Sequence, residues 1–445
     1  MSKLAIFAVI IASVLLVASA DRPGDKVTLS DIPQIPSGAF NNFTTYSGYI
    51  TLGANTNISR SYHYFFVTSM NNPANDPVLL WLNGGPGCSS MAGLLNENGP
   101  WVFGPNGTVL EFNPYTWNAK ANVLYLETPA GVGFSLNPNN ITWNDTFTAQ
   151  ENDRVIRQWL TNFTEFQNNE FYISGESYAG VYIPSLAQTI HWNNAGGATP
   201  KINLKGMAIG NGVTYVNDLD GVLSQIMFYA RHNLISPEDR MTFENNCHFN
   251  YDEQACNLIA NKIFDDMNNS PLNPYDIYGY CWNDTGMVLP KGALYDYARF
   301  MNFVGATKLS LNDVNPFAGL PPCADIVGAT FFLNNATVKA GLHVPDNITW
   351  TVCADRSDFH YNRGDFANMT ETYAFLTSQG YRIWYYSGDS DSVCPYDTAE
   401  AFFRNLVNTF EIPLLTPKRP WHIPGKYADE PQTTGMHEDY PNLKV

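Results

Sequence analysis

The chain has 445 residues, 44% of them hydrophobic and 14% aromatic, which is enough to bury a large core. Its formal net charge of −17 and isoelectric point near 4.7 exclude nucleic acid and anionic lipid surfaces as preferred partners, because such a surface repels phosphate groups. The sequence contains no internal repeat and no low-complexity segment, so it predicts a globular protein.

The first twenty residues predict a secretory signal peptide. A lysine is followed by an apolar run of about fifteen residues that closes in Ala18-Ser19-Ala20, the small-residue pattern that signal peptidase cleaves. The run is short for the roughly 20 residues that span a membrane, and no comparable run follows it. We therefore expect residues 1–20 to be removed, residues 21–445 to form the mature protein, and no membrane to be a partner.

Short apolar runs alternate with helical patterns along the mature chain. The runs that predict buried strands are residues 78–83, 122–127, 170–174, 202–210 and 381–388. Helical spacing of apolar residues follows the second run, and further helical segments follow Ser177 and Asp391. Strands that alternate with helices of this length predict an α/β fold with a mostly parallel central sheet flanked by helices.

Residues from about 214 to 330 break this alternation. They contain four cysteines, several prolines and asparagines, and no run typical of a long core strand. We interpret the segment as a cap inserted into one large domain, lying over the carboxyl edge of the sheet, where open α/β sheets bind ligands.

The segment FYISGESYAG, residues 171–180, predicts a catalytic nucleophile. FYIS is typical of a strand, Ser177 follows it, and a helical pattern comes next, which together make the strand, sharp turn and helix of a nucleophile elbow. Gly175 and Gly180 bracket a turn too tight for bulkier residues. The alternative is a serine in an ordinary loop. A serine hydroxyl is a poor nucleophile until a base takes its proton, so the motif is incomplete by itself.

The segment WLNGGPGCSS, residues 81–90, is a glycine-rich turn directly after a predicted strand. Attack on a carbonyl requires preorganised donors for the oxyanion that forms. We expect backbone N–H groups of this turn to face the substrate beside the N–H that follows Ser177. The alternative is a loop without such a role.

Seven cysteines form no C-x-x-C pair and have no histidines at zinc-finger spacing, so a metal site is not expected. In a protein that follows a signal peptide into the secretory pathway, cysteines are expected to form disulfides. Because the number of cysteines is odd, at least one thiol has no partner within the chain. N-x-S/T sequons recur from Asn42 to Asn368, which fits a glycoprotein of the secretory pathway.

These motifs resemble those of the serine carboxypeptidase family. The matching segments occur in the family's order over nearly the whole mature chain: WLNGGPGCSS, LETPAGVGFS, ISGESYAG, IGNG and YSGDSD. The resemblance implies an α/β-hydrolase fold with an inserted cap, a nucleophile at Ser177, and oxyanion donors at the backbone N–H groups of Gly85 and Tyr178. It implies a triad acid at Asp391, with Asp389 as the alternative, and no cofactor.

The resemblance also assigns the glutamate beside the serine. Members of the family remove C-terminal residues and so bind a free carboxylate, and the matching residues here are Asn83, Gly84, Glu97 and Glu176. Two carboxyls packed together retain a proton at mildly acidic pH, and a neutral acid can donate a hydrogen bond to an anion. We therefore expect acid pH to favour activity. The alternative for Glu176 is a solvated surface residue.

The resemblance implies three disulfides and one free thiol. The implied pairs are Cys88 with Cys353, Cys247 with Cys256, and Cys281 with Cys323. Cys394 is then left over, and we expect it to be a buried, inert thiol.

The catalytic base is the residue that the sequence does not supply in the expected place. The family's histidine lies in a G-x-G-H-like turn after a strand near the C-terminus, whereas residues 419–445 match the family only up to the start of that strand. His422 and His437 precede the expected strand. The remaining histidines lie in no matching context: His63, His191, His232, His248, His343 and His360. We expect the base to lie beyond Val445, which makes this sequence a truncated or incomplete form with little activity.

Three hypotheses follow. The first is a serine carboxypeptidase that acts on peptide and protein C-termini in an extracellular, lysosomal or vacuole-like compartment, with a homodimer as an allowed assembly. The second is an acyltransferase on the same framework, in which an alcohol replaces water. The third is a noncatalytic binding or chaperone protein.

Overall fold

The structure is a computed structural model. It describes residues 24–28, 32, 35, 42–54, 59–103, 110–214, 218–249, 252–270, 272–279, 326–355, 359–364, 369–423 and 431–445. The predicted signal peptide, residues 1–20, and the predicted pair Cys281 and Cys323 lie outside the described residues.

The strands of the described chain form one large sheet and two small ribbons. In chain order they are β1 (Thr45–Leu52), β2 (Arg60–Val67), β3 (Val78–Leu82), β4 (Trp101–Phe103), β5 (Leu110–Phe112), β6 (Asn122–Leu126), β7 (Trp143–Asn144), β8 (Phe171–Ser177), β9 (Leu204–Gly212), β10 (Tyr361–Asn362), β11 (Arg382–Tyr386), β12 (Thr416–Ile423), β13 (Gln432–Tyr440) and β14 (Leu443–Lys444). The ribbons pair β4 with β5 and β7 with β10.

The large sheet has ten strands in the order β1-β2-β6-β3-β8-β9-β11-β14-β13-β12. From β6 to β14 every neighbouring pair is parallel, whereas β1 and β2 at one edge and β12 and β13 at the other are joined antiparallel. Strands such as β6, which is buried throughout, are apolar because helices cover both faces of a parallel sheet. The predicted α/β fold with a mostly parallel sheet is confirmed.

Helices flank the sheet on both faces. In chain order the α-helices are α1 (Met91–Asn96), α2 (Asp145–Asn162), α3 (Ala179–Ala195), α4 (Asp218–Arg231), α5 (Pro237–Phe243), α6 (Glu253–Asn268), α7 (Val327–Leu333), α8 (Ala336–Gly341), α9 (Met369–Ser378) and α10 (Tyr396–Thr409). Short 3-10 helices span Trp117–Ala119 and Thr164–Phe166, and a π-helix spans Glu244–Phe249. No helix in the described ranges is long and apolar enough to span a bilayer.

Two hydrophobic clusters lie on opposite faces of the sheet. Alternate residues of one strand join different clusters, because successive side chains of a strand point to opposite faces: Leu80 belongs to the first cluster and Trp81 to the second. The first cluster includes residues of α2, α3, α9 and α10, and the second includes residues of α1, α7 and α8. The sheet is therefore the shared wall of two cores.

Helices α4, α5 and α6 pack around a third, smaller cluster that includes Phe228, Phe243 and Phe264. A disulfide joins Cys247 to Cys256 beside α6. These helices lie within the segment predicted to be a cap, residues 214–330, whereas α7 packs into the second cluster of the main domain. The boundaries of the insertion remain a prediction.

Candidate active site

Ser177 ends β8 and lies on the sharp turn that leads into α3. Its backbone has φ +59°, a left-handed conformation that is uncommon for a residue with a Cβ. A Cβ added at Gly175 would lie 2.0 Å from the Leu82 carbonyl oxygen, and one at Gly180 would lie 2.5 Å from the Val213 carbonyl oxygen. Both glycines are therefore required by close approaches of the backbone, as the nucleophile-elbow hypothesis expects.

The glycine-rich turn after β3 lies against this elbow, because β3 and β8 are adjacent parallel strands. A Cβ added at Gly84 would lie 2.3 Å from the backbone nitrogen of Tyr178 and 2.8 Å from the Cβ of Ser177. Gly85 follows with φ +110°, a conformation that favours glycine. The geometry thus packs the turn that contains Gly85 against the backbone of Tyr178, so the two predicted oxyanion donors lie on segments in direct contact.

A disulfide between Cys88 and Cys353 fixes the far end of the glycine-rich turn. Two backbone hydrogen bonds accompany it: the Ala354 N–H donates to the Gly87 carbonyl at 2.8 Å, and the Ser89 N–H donates to the Val352 carbonyl at 2.7 Å. The turn is therefore held by covalent and backbone contacts from a segment far away in sequence.

Asn83 lies between the two glutamates of the predicted carboxylate site. Its side-chain nitrogen donates to Glu176 at 2.8 Å and to Glu97 at 3.1 Å. Its side-chain oxygen accepts from the Trp81 indole at 2.8 Å and from the Gly93 N–H at 3.1 Å, which fixes the orientation of the amide. Both carboxyl groups are thus held within reach of one amide, next to the nucleophile.

The two glutamates also hydrogen-bond to each other, which requires that one of them carries a proton. Burial, and then the charge of Glu97, raises the pKa of Glu176 well above its ordinary value. Burial also raises the pKa of Glu97, against the effect of its hydrogen bonds to Asn83 and Glu176. Because the pKa of Glu176 is raised further than that of Glu97, we place the retained proton on Glu176.

Asp391 lies on the turn after β11, and its two carboxylate oxygens accept hydrogen bonds from the N–H groups of Val393 at 2.8 Å and Cys394 at 3.3 Å. Burial, reinforced by the charge of Glu176, raises the pKa of Asp391 to about 7, against the effect of those two bonds and one from Asn211. Asp389, the alternative acid, is exposed. Geometry therefore favours Asp391 over Asp389.

The free cysteine, Cys394, interacts with both Ser177 and Asp391. Cys394 is buried, its thiol hydrogen-bonds with the Ser177 side chain, and its backbone N–H donates to Asp391. Burial, and then the charge of Asp391, raises the pKa of this thiol well above its ordinary value. The group therefore stays a thiol rather than a nucleophilic thiolate.

The described histidine side chains make their contacts elsewhere. His191 bonds to the Tyr381 hydroxyl at 3.0 Å, and His437 to Asp439 at 3.3 Å. His360 is exposed. The rings of its neighbours Phe359 and Tyr361 stack on each other on one side of this extended segment, so the His360 side chain lies on the opposite side. No hydrogen bond found among the described residues joins a histidine to Ser177 or Asp391.

A serine, a histidine and a glutamate are hydrogen-bonded in series in the core, away from the elbow. Ser47 Oγ lies 2.9 Å from His63 Nε2, and His63 Nδ1 lies 2.8 Å from Glu127. All three are completely buried, and the Ser47 hydroxyl donates to the Leu342 carbonyl at 2.7 Å. A substrate has no access to this serine, so the arrangement is structural.

Sequence reasoning missed the role of Asn211 in the IGNG segment. Its side chain accepts from the Gly388 N–H at 3.0 Å and donates to the carbonyls of Gly388 and Cys394 at 3.3 and 3.4 Å, so it braces the turn that carries Asp391. The sequence contained a signal for this role, because β9 and β11 were both predicted strands whose ends meet at one edge of the sheet.

Among the described residues no group of three or more histidine, cysteine or acidic side chains could hold a metal ion.

A strand, strained serine and helix beside a glycine-rich turn, on a mostly parallel sheet flanked by helices, define the α/β-hydrolase class. The chain belongs to the serine carboxypeptidase family, because the family model described as "Serine carboxypeptidase" matches residues 33–445.

Relatives agree with this assignment, and a solved structure agrees with the fold. The chain is 34% identical to "Lysosomal protective protein" of Mus musculus over 86% of this chain and 81% of the relative. It is 33% identical to "Serine carboxypeptidase 1" of Hordeum vulgare over 89% of this chain and 82% of the relative. The fold matches the prohormone-processing carboxypeptidase Kex1 of Saccharomyces cerevisiae with a TM-score of 0.71 at 22% identity, covering 95% of this chain and 90% of that structure.

Proposed function

We propose that this protein is a serine carboxypeptidase that removes C-terminal residues from peptides through an acyl-enzyme on Ser177, with acid pH favoured. The observation that carries the proposal is the pair of hydrogen-bonded glutamates, Glu97 and Glu176, held on Asn83 beside the nucleophile. A hydrolase for neutral esters or internal peptide bonds has no need of a protonated carboxyl at this position.

The terminal carboxylate of the substrate accepts hydrogen bonds from the protonated Glu176 carboxyl and from the Gly84 backbone N–H. This anchoring sets the scissile carbonyl opposite Ser177, whose hydroxyl attacks it. The negative charge that develops on the carbonyl oxygen is stabilised by the N–H groups of Gly85 and Tyr178, donors whose positions are already fixed before the reaction. Release of the terminal amino acid leaves an acyl-enzyme that water hydrolyses.

The general base remains a prediction. The triad mechanism requires a histidine between the nucleophile and Asp391, and no hydrogen bond among the described residues joins a histidine to either of them. A polypeptide of residues 21–445 should therefore release amino acids slowly, and added imidazole should accelerate it. Turnover typical of the family from this polypeptide without imidazole would contradict that prediction.

The proposed activity is tested with N-blocked dipeptides at about pH 5. The protein should release the terminal amino acid, should spare the matching dipeptide amide that lacks a free carboxylate, and should lose the activity as Ser177→Ala. Addition of an alcohol acceptor separates hydrolysis from the acyltransferase alternative, which predicts an ester product in excess of the free acid. Binding without any turnover would favour the noncatalytic alternative.

We also propose that the protein resides in an acidic compartment of the secretory pathway or is secreted. The disulfides Cys88–Cys353 and Cys247–Cys256 require an oxidising compartment during folding. A raised pKa at Glu176 suits an acidic destination, and one relative is named a lysosomal protein. Fluorescence microscopy of the tagged full chain tests the destination, and sedimentation of the purified protein tests for a homodimer.

A further inference from the structure

A buried carboxylate at the start of α2 lies behind the proposed oxyanion hole and has no part in the mechanism above. Asp145 is 3% exposed, and one of its oxygens accepts from two tyrosine hydroxyls, those of Tyr178 and Tyr361, each at 2.8 Å. Its other oxygen accepts from the Gly364 N–H at 3.0 Å. Tyr178 is the residue whose backbone N–H is the expected oxyanion donor, so this carboxylate anchors that residue from behind.

The segment from Tyr361 to Gly364 reaches the second donor as well. The Arg363 guanidinium donates to the Gly85 carbonyl at 3.2 Å and lies 5.0 Å from the centre of the Tyr178 ring. Pairing of β10 with β7 holds this segment beside the start of α2. One loop therefore contacts both residues that are expected to donate to the oxyanion.

We propose that Asp145 and Arg363 are positioning residues that fix the two oxyanion donors, Tyr178 through its side chain and Gly85 through its carbonyl. This inference rests on the proposed function. Neither residue touches the substrate in this role. Each restricts a peptide unit whose N–H must point at the developing negative charge.

The protonation states agree with this assignment. Burial, and then the charge of Asp145, raises the pKa of Tyr178 far above its ordinary value, so the hydroxyl remains a donor at every physiological pH. The pKa of Tyr361 is raised in the same direction, chiefly by burial and also by neighbouring tyrosines and Asp145. Both tyrosine hydroxyls of the anchor therefore remain hydrogen-bond donors at acidic and neutral pH.

The test compares steady-state kinetics of the purified full chain with variants. In Asp145→Asn an N–H group replaces the oxygen that accepts from Gly364, so two donors face each other and the loop must move. We expect kcat to fall about 10- to 100-fold, the size of effect seen when an oxyanion donor is misplaced or removed. KM should be nearly unchanged, because the donor acts on the transition state and not on the bound substrate. A tetrahedral phosphonate inhibitor should lose affinity by the same factor, whereas the carboxylate product should not.

Arg363→Met provides a second variant, because this side chain is only partly buried and we expect its loss to leave the fold intact. We expect a smaller fall in kcat, with partial recovery in Arg363→Lys, which retains a donor for the Gly85 carbonyl. Asp153→Asn is the matched control: Asp153 lies on the same helix, is equally buried and pairs with Arg157 at 2.9 Å, away from the elbow. Wild-type kcat in Asp145→Asn, or an equal fall in Asp153→Asn, overturns the proposal.

Failure of the proposed function is distinguishable from failure of this inference. If the wild-type protein shows no activity that depends on Ser177, the proposed function fails, and hydrogen exchange then tests the positioning role. Faster exchange of the amides of Gly85 and Tyr178 in Asp145→Asn but not in Asp153→Asn supports the inference. Unchanged exchange of those two amides overturns it.

Discussion

Replacing Glu176 by glutamine tests the role of the shared proton. A glutamine occupies nearly the same volume, its oxygen can accept from the Asn83 amide, and its N–H group can donate to a substrate carboxylate at any pH. In the native pair, by contrast, that donor exists only while one carboxyl is protonated. The substitution therefore should remove the pH dependence of substrate binding without removing the site.

The expected magnitude follows from the hydrogen bond that is lost. A hydrogen bond to a charged group contributes about 1.5 to 3 kcal/mol, so ionisation of the pair should weaken binding about 10- to 100-fold. The substrate carboxylate stays ionised throughout, since its pKa is near 3.5. Burial and the charge of Glu97 raise the pKa of Glu176, so binding should be tight at low pH and weaken as pH rises through that raised value.

The assay is calorimetric titration with an N-blocked dipeptide between about pH 4.5 and 7.5. All proteins carry Ser177→Ala, so that turnover, and with it the question of the base, does not enter. The background protein should lose affinity as pH rises. With Glu176→Gln added, the dissociation constant should vary by less than about threefold, because the amide donor does not titrate.

Two controls accompany this measurement. Glu170→Gln changes an exposed glutamate that directly precedes β8, and it should leave the pH dependence as steep as before. The dipeptide amide, which has no carboxylate, should bind weakly and without pH dependence in all proteins. An unchanged pH dependence in the Glu176→Gln protein would refute the account of the glutamate pair.

Three further outcomes are expected. Gly84→Ala places a Cβ 2.3 Å from the amide nitrogen that follows the nucleophile, so kcat should fall about 100-fold, whereas Gly24→Ala, with open space around it, should have no effect on the measured rate. The pKa of Asp391 is raised from 3.8 to about 7, so its contribution to stability is fully present below pH 4 and is lost as pH rises through 7. Urea unfolding should therefore show that the free energy of unfolding falls by up to about 4 kcal/mol across this window. The Asp391→Asn substitution should abolish this fall. Replacing Cys88 and Cys353 by serine opens a loop of 265 residues and should lower the free energy of unfolding by about 4 to 5 kcal/mol, measured by denaturant titration of the oxidised protein and the double variant.

The central strands were predictable because they are apolar on both faces. Each of the five predicted runs became a strand of the sheet: β3, β6, β8, β9 and β11. The edge strands were not predicted. β12 is exposed along nearly its whole length and contains prolines and charged residues, so it has no hydrophobic period that sequence could reveal.

The elbow and the glycine-rich turn were predictable from their local sequence, since both depend on glycines at fixed positions near a strand end. The Asp145 anchor was not, because it joins Tyr178 to Tyr361 across 183 residues, and neither Asp145 nor Tyr361 belongs to a recognised motif. Such contacts depend on how β7 and β10 meet, which is a property of the assembled fold. The sequence likewise leaves Asp389 and Asp391 as alternatives, and only the turn geometry separates them.

The central claim is that Ser177 cleaves peptides at a free C-terminus, and mass-spectrometric measurement of amino-acid release by the natural protein tests it most directly. The account predicts release of the terminal residue from an N-blocked peptide, no release from the matching peptide amide, and loss of the activity in Ser177→Ala. Equal release by the Ser177→Ala protein, or equal cleavage of the peptide amide, would contradict it.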